Sequence, residues 1–156
     1  MGIVRSRWNL ATGSQNPDAT GGTEDWNTET STHTNYTNAA LAANTYSAAL
    51  TNRIAVPVYG LQGSITTGFQ QATTASTGTF YYECTDSDPG NANAVWSFFL
   101  ELSQTLTTTA VTETESHPVS FSGVRAVRLT KVKFTAAPSA NAITELNSKV
   151  SVTMPT

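Results

Sequence analysis

Nucleophilic catalysis needs a nucleophile with a base in hydrogen-bond reach, and this sequence offers few candidates. Cys84 is its only cysteine. In an extended run Cys84 shares a face with Phe80 and Tyr82, so it reads as a buried, protonated thiol packing like a small apolar group. His33 and His117 are read as lying in polar loops, and neither has a partner at metal-ligand spacing, which argues against zinc. Sugar hydrolysis needs two carboxylates facing across a cleft. Glu83 and Glu101, on adjacent predicted strands, are the only pair that strand geometry could oppose, and two solvated strand positions are the preferred explanation. Asp86-Ser-Asp88 followed by Asn91 is the one metal-like cluster. A helix–loop–helix calcium loop would need Asp or Asn at position 90 and Gly at 91, whereas the chain has Gly90 then Asn91. A turn shaped by Pro89-Gly90 accounts for the same residues without an ion. No catalytic apparatus, metal or cofactor is expected.

Aromatic and basic side chains leave binding as the remaining chemistry. A pyranose stacks on an exposed ring, and Trp8, Trp26, Tyr36, Tyr46 and Tyr59 stand in the polar N-terminal third. Aromatic residues also mark protein interfaces. On that preferred reading the rings anchor the N-terminal segment, with Trp8, Trp26 and Tyr36 as the interface residues. Four of the eight basic residues, Arg125, Arg128, Lys131 and Lys133, crowd one stretch. Strand alternation sends odd and even positions to opposite faces, and no aromatic residue interleaves with them in the sequence. A solvated strand face with one paired arginine is therefore preferred to a phosphate-binding patch. The net charge of −3 gives no reason to expect nucleic acid as a partner.

The elements that carry these residues are signalled by composition. A chain of 156 residues fits one domain and can bury a core without disulfides. It holds 28 Thr and 19 Ala, with only 12% charged residues, roughly half the usual density. Thr favours strands and keeps an exposed face wet without charge. Extracellular adhesive modules and particle surfaces use such compositions. The start, Met1-Gly-Ile-Val-Arg-Ser-Arg-Trp8, lacks the apolar stretch of a signal peptide. No apolar run nears the ~20 residues needed to span a bilayer, so no membrane partner is expected.

Residues 1–36 are polar and broken by Gly13, Pro17, Gly21 and Gly22, which predicts an extended N-terminal arm lying on a neighbouring subunit or along a domain of residues 37–156. Residues 37–50 fit either a helix capped by Asn38 or a short edge strand over 45–50, the strand being preferred. Beyond them strand signals recur: Ile54–Val58 with Pro57 at an edge, Leu61–Gln70, Thr79–Thr85, Val95–Leu102 as a central strand, Thr105–Thr114 as an edge, and Ser148–Met154. In Val124–Phe134 the apolar parity switches between Leu129 and Val132, which either a β-bulge near Thr130–Lys131 or two-sided burial in a central strand would reconcile. Phe80, Tyr82, Trp96, Phe98, Leu129, Val150 and Val152 are the predicted core. The pattern is that of an all-β, antiparallel, jelly-roll-like β-sandwich.

Two stretches resemble a module that recurs in bacteriophage particle proteins. One is Ala75-Ser-Thr-Gly-Thr-Phe-Tyr-Tyr-Glu-Cys-Thr-Asp86, followed by Asp88-Pro-Gly90 and Val95-Trp96. The other is Val124-Arg-Ala-Val-Arg-Leu129, then Ala136-Ala-Pro-Ser-Ala140 and Lys149-Val-Ser-Val152. The likeness covers roughly residues 46–154 and departs at Ala126, where an aromatic residue is usual. It implies a discoidin-like or jelly-roll-like sandwich serving as a capsid decoration, head-fibre or tail accessory protein, with no catalytic residues. The partners implied are a major capsid or tail protein and further copies of the chain, and the location is the virion, after synthesis in the host cytoplasm. A carbohydrate-binding adhesive module is the alternative, and a surface glycan is compatible with both.

Overall fold

The computed structural model describes residues 3–9, 15–17, 42–50, 53, 55–71, 75–88, 90–136 and 143–155. In it the strands are β1 (Ile3–Asn9), β2 (Gln15–Pro17), β3 (Val56–Pro57), β4 (Gln62–Gln71), β5 (Thr77–Thr85), β6 (Ser97–Thr105), β7 (Glu113–Ser120), β8 (Ala126–Phe134) and β9 (Ile143–Pro155). There is no helix among the described residues. One antiparallel sheet runs β2-β1-β9-β4-β7 and the other β3-β8-β5-β6. They pack face to face as a β-sandwich around a single apolar core. From β3 to β9 only the β5–β6 connection stays within one sheet, a jelly-roll-like winding.

Alternation builds that core. β4 turns Ile65 and Phe69 inward, β5 Phe80 and Tyr82, and β9 Leu146, Val150 and Val152. The expected bulge is present in β8. Tyr81 pairs with Lys131 and Tyr82 with Leu129, leaving Thr130 as the additional residue. Val127 and Leu129 before it, and Val132 and Phe134 after it, are thereby all buried despite their opposite parity. The Phe69 ring meets Phe80 edge-on at 6.1 Å and Phe134 at 5.2 Å. Several polar groups admitted to the interior are partnered across the sandwich, whereas the buried Thr130 Oγ1 at the bulge has no hydrogen-bond partner among the described residues. The Tyr82 hydroxyl bonds Ser148 Oγ on the other sheet, and full burial holds its phenol above the ordinary range. Thr67 Oγ1 donates to Gln104 Oε1 at 3.0 Å, and Gln104 Nε2 donates to the Glu113 carbonyl at 2.6 Å.

The edges depart from the sequence reading. β6 is an edge strand rather than a central one. Of its predicted core residues Phe98 is 56% exposed, and Trp96 precedes the strand and is only half-buried. Residues 106–112 form a turn-rich connection, and the edge of the opposite sheet is β7, which carries His117 in a strand rather than a loop. Residues 44–50 form neither helix nor strand. They follow β8 in a slack path, with N–H groups of Asn44, Ser47 and Leu50 bonding the carbonyls of Phe134, Val132 and Thr130. Three residues here span two on β8, so no regular ladder can form, yet the β8 edge is covered.

The opening of the expected arm is hydrogen-bonded into the chain's own sheet. β1 runs antiparallel to β9 from Ile3↔Pro155 to Asn9↔Lys149, and β2 folds back on β1. A strand of mixed polarity can be held this way because β9 supplies backbone groups along its whole length. Trp8 stands opposite Val150. Trp26 and Tyr36 lie outside the described residues.

Glu113 organises the 106–112 turn. One carboxylate oxygen accepts from the backbone N–H groups of Thr107 and Thr108, at 2.9 and 2.8 Å, and from both their hydroxyls. These bonds, the Thr108 N–H foremost, lower its pKa to about 2. A depressed carboxylate stabilises the fold above its ordinary value of 4.5, and that contribution fades as pH falls toward about 2. Glu113→Gln should therefore melt below the parent at neutral pH. The gap in thermal midpoint should close between pH 4.5 and 2, whereas a gap independent of pH would exclude this origin.

Candidate binding face

The bulge at Thr130 also decides what the outer face of the β3-β8-β5-β6 sheet carries. With one residue inserted, Arg128, Lys131 and Lys133 all project away from the core, opposite Glu83, Tyr81 and Thr79 of β5. The expectation that alternation would separate these cations is overturned, because that argument assumed a regular strand. Each cation lies near an aromatic ring. Arg128 stacks over Trp96 at 4.0 Å, Lys133 over Tyr46 at 4.5 Å, and Lys131 lies 5.7 Å from the Tyr81 centroid. Arg125, just before the strand, sits 5.8 Å from Tyr59. The aromatic residues missing between the basic ones in the sequence are thus supplied by neighbouring segments.

The rings also touch one another. Tyr81 meets Tyr46 edge-on at 5.7 Å and Phe98 at 5.2 Å, forming a continuous aromatic band across β5 and β6. Carboxylates are interleaved with the cations. Arg128 Nε and Nη2 both donate to Glu83 Oε2, at 2.9 and 2.7 Å, in a pair that is largely sheltered from solvent. The Tyr46 hydroxyl donates to Glu101. Partial burial and this carboxylate hold the Tyr46 phenol above its ordinary value. Glu83 and Glu101 therefore do not oppose each other. Glu83 stands across from Phe98 and Glu101 across from Tyr81, and each has a separate partner.

The other singled-out residues are dispersed. Cys84 packs against the edge of the core, half-buried, with Ser97 Oγ 3.9 Å from its sulfur. His117 Nε2 lies 3.5 Å from Thr67 Oγ1, and His33 is outside the described residues. Asp88 is held by Arg125 at 2.8 Å, while Asn91 Oδ1 accepts the Asn93 N–H within its own turn. Among the described residues no three His, Cys, Asp or Glu side chains converge as metal ligands would. What the arrangement offers chemically is ring faces, paired charges and an exposed apolar edge, which suits binding. The sequence matches no protein-family model and no curated protein.

Proposed function

We propose that this chain is a structural, non-catalytic β-sandwich of a bacteriophage particle, decorating the capsid or serving as a tail accessory, and that it is held there by subunit contacts through the outer face of β3-β8-β5-β6. The observation that carries the reading is the exposure of Phe98, at 56%, beside the aromatic band, with Val95 at 77% on the same edge. Interfaces are enriched in aromatic residues and arginine and depleted in free charge. This face combines rings with an arginine, Arg128, whose charge is already met by Glu83. The low overall charge and the resemblance of residues 75–96 and 124–152 to phage particle modules agree with that role, and Trp8, Trp26 and Tyr36 are further contacts proposed for the N-terminal segment.

The test is oligomeric state and its dependence on Phe98. Native mass spectrometry and particle imaging of the purified chain should show a closed symmetric assembly. Phe98→Asp should dissociate it while leaving the strand content of the subunit, read by circular dichroism, unchanged, since an exposed position contributes little to the core. A monomer at every concentration, or an assembly indifferent to Phe98→Asp, would count against the reading.

A further inference from the structure

At one end of the same sheet two tight turns meet. In Val58–Leu61 the Leu61 N–H bonds the Val58 carbonyl, and both central residues have positive φ, Tyr59 at 48° and Gly60 at 72°. That is the geometry of a hairpin-type turn normally filled by Gly, Asn or Asp, and a bulky ring there is an outlier. The strain is held from outside. The N–H groups of Val58 and Tyr59 bond the Arg125 carbonyl at 2.8 and 3.2 Å, and that of Gly60 bonds Val124 at 2.7 Å. The second turn, Phe121–Val124, has Gly123 at φ 74°. A backbone conformation costly for tyrosine, fixed by three hydrogen bonds, presents a ring that is 57% exposed and contributes little to the core.

The two turns enclose an open depression of about 360 Å³, lined by Tyr59, Gly60, Gly123, Val124 and Arg125. Small-molecule sites span about 300–1,000 Å³. Its glycines carry no side chain to fill it, and the Arg125 guanidinium reaches both the Tyr59 ring and the Asp88 carboxylate. That ion pair is partly solvated, with side chains 47% and 66% exposed, and is made through Nη2 and Oδ1. A guanidinium has five N–H donors and a carboxylate several lone pairs, so the pair can both donate and accept at neighbouring positions. Its charges cancel, which disfavours a phosphate or carboxylate ligand and suits a neutral one rich in hydroxyls.

We infer that this depression binds a neutral saccharide, with Tyr59 stacking on the apolar face of a pyranose while Arg125 donates to, and Asp88 accepts from, adjacent hydroxyls. This is independent of the proposed assembly role, which uses Phe98 and the opposite edge of the sheet. The test is retention of the intact chain on an array of neutral hexose and N-acetylhexosamine oligosaccharides, with titration of any retained sugar. Tyr59→Gly removes the ring at a φ that glycine tolerates, so it should weaken binding about tenfold or more without lowering the melting midpoint. Tyr59→Phe should bind like the parent, and Arg125→Met should bind weakly. No retention of any neutral saccharide, retention confined to acidic sugars, or binding unaffected by Tyr59→Gly would overturn the inference. A marked fall in the melting midpoint of Tyr59→Gly would do so as well, because the strained ring would then serve the fold.

Discussion

Phe69→Ala is expected to cost about 3–5 kcal/mol of folding stability, a large part of the ~5–15 kcal/mol available to a domain. Phe69 is completely buried on β4 and reaches across the sandwich to Phe80 of β5 and Phe134 of β8. Gly78 makes room for it, since a β-carbon there would stand 2.9 Å from the Phe69 ring. Removing the ring opens a void bounded by both sheets, and paired strands cannot collapse into it without breaking their ladders. Urea denaturation should show a lower midpoint with an unchanged slope. A loss below about 1 kcal/mol would mean that the site relaxes freely, contrary to the packing described here.

Gly63→Ala should also destabilise strongly, for the opposite reason. Gly63 lies in β4 between Val119 of β7 and Val152 of β9. A β-carbon on it would overlap the Ser151 carbonyl oxygen and approach the Phe121 ring at 3.1 Å. The obstacle is backbone in a central strand, so relief requires β4 and β9 to part. Overpacking of this kind typically costs about 1–3 kcal/mol and sometimes more. The expected readout is a lower thermal midpoint together with faster amide exchange along β4 and β9. Gly90→Ala is the matched control, because a β-carbon there meets nothing within 4 Å and should leave both measurements near the parent. Parent-like exchange in Gly63→Ala would refute the close approach.

Much of the sandwich was legible from period-two alternation. Phe80 and Tyr82, and Val150 and Val152, are buried on the faces their parity assigns. The Thr130 bulge was legible as one of two readings, since Val127 with Leu129 and Val132 with Phe134 could also be buried on the two faces of a central strand. The register of β8 against β5 decides for the bulge. Its consequence on the other face follows by the same logic, and the basic stretch misled only while β8 was treated as regular.

Other features depend on pairing between distant segments. The run Val95–Leu102 is apolar on both parities and reads as a central strand, yet no strand pairs with its second side among the described residues. Its outward ring Phe98 joins Tyr81, and Trp96 is covered by Arg128. Residues 44–50 have no period to read, since their bonds to β8 recur every third residue.

The proposed saccharide site shows the division most clearly. Tyr59 was visible as one of several rings, but nothing local distinguishes it. Its positive φ is imposed by hydrogen bonds to Val124 and Arg125, far along the chain, and Asp88, which pairs with Arg125, comes from a third segment. Side-chain alternation is a local property written into consecutive residues, so the sequence by itself determined that the chain is a two-sheet β protein and, for strands such as β5 and β9, which faces turn inward. Edge or centre, turn strain and the meeting of charges with rings depend on contacts between segments tens of residues apart, and only the tertiary structure decided them.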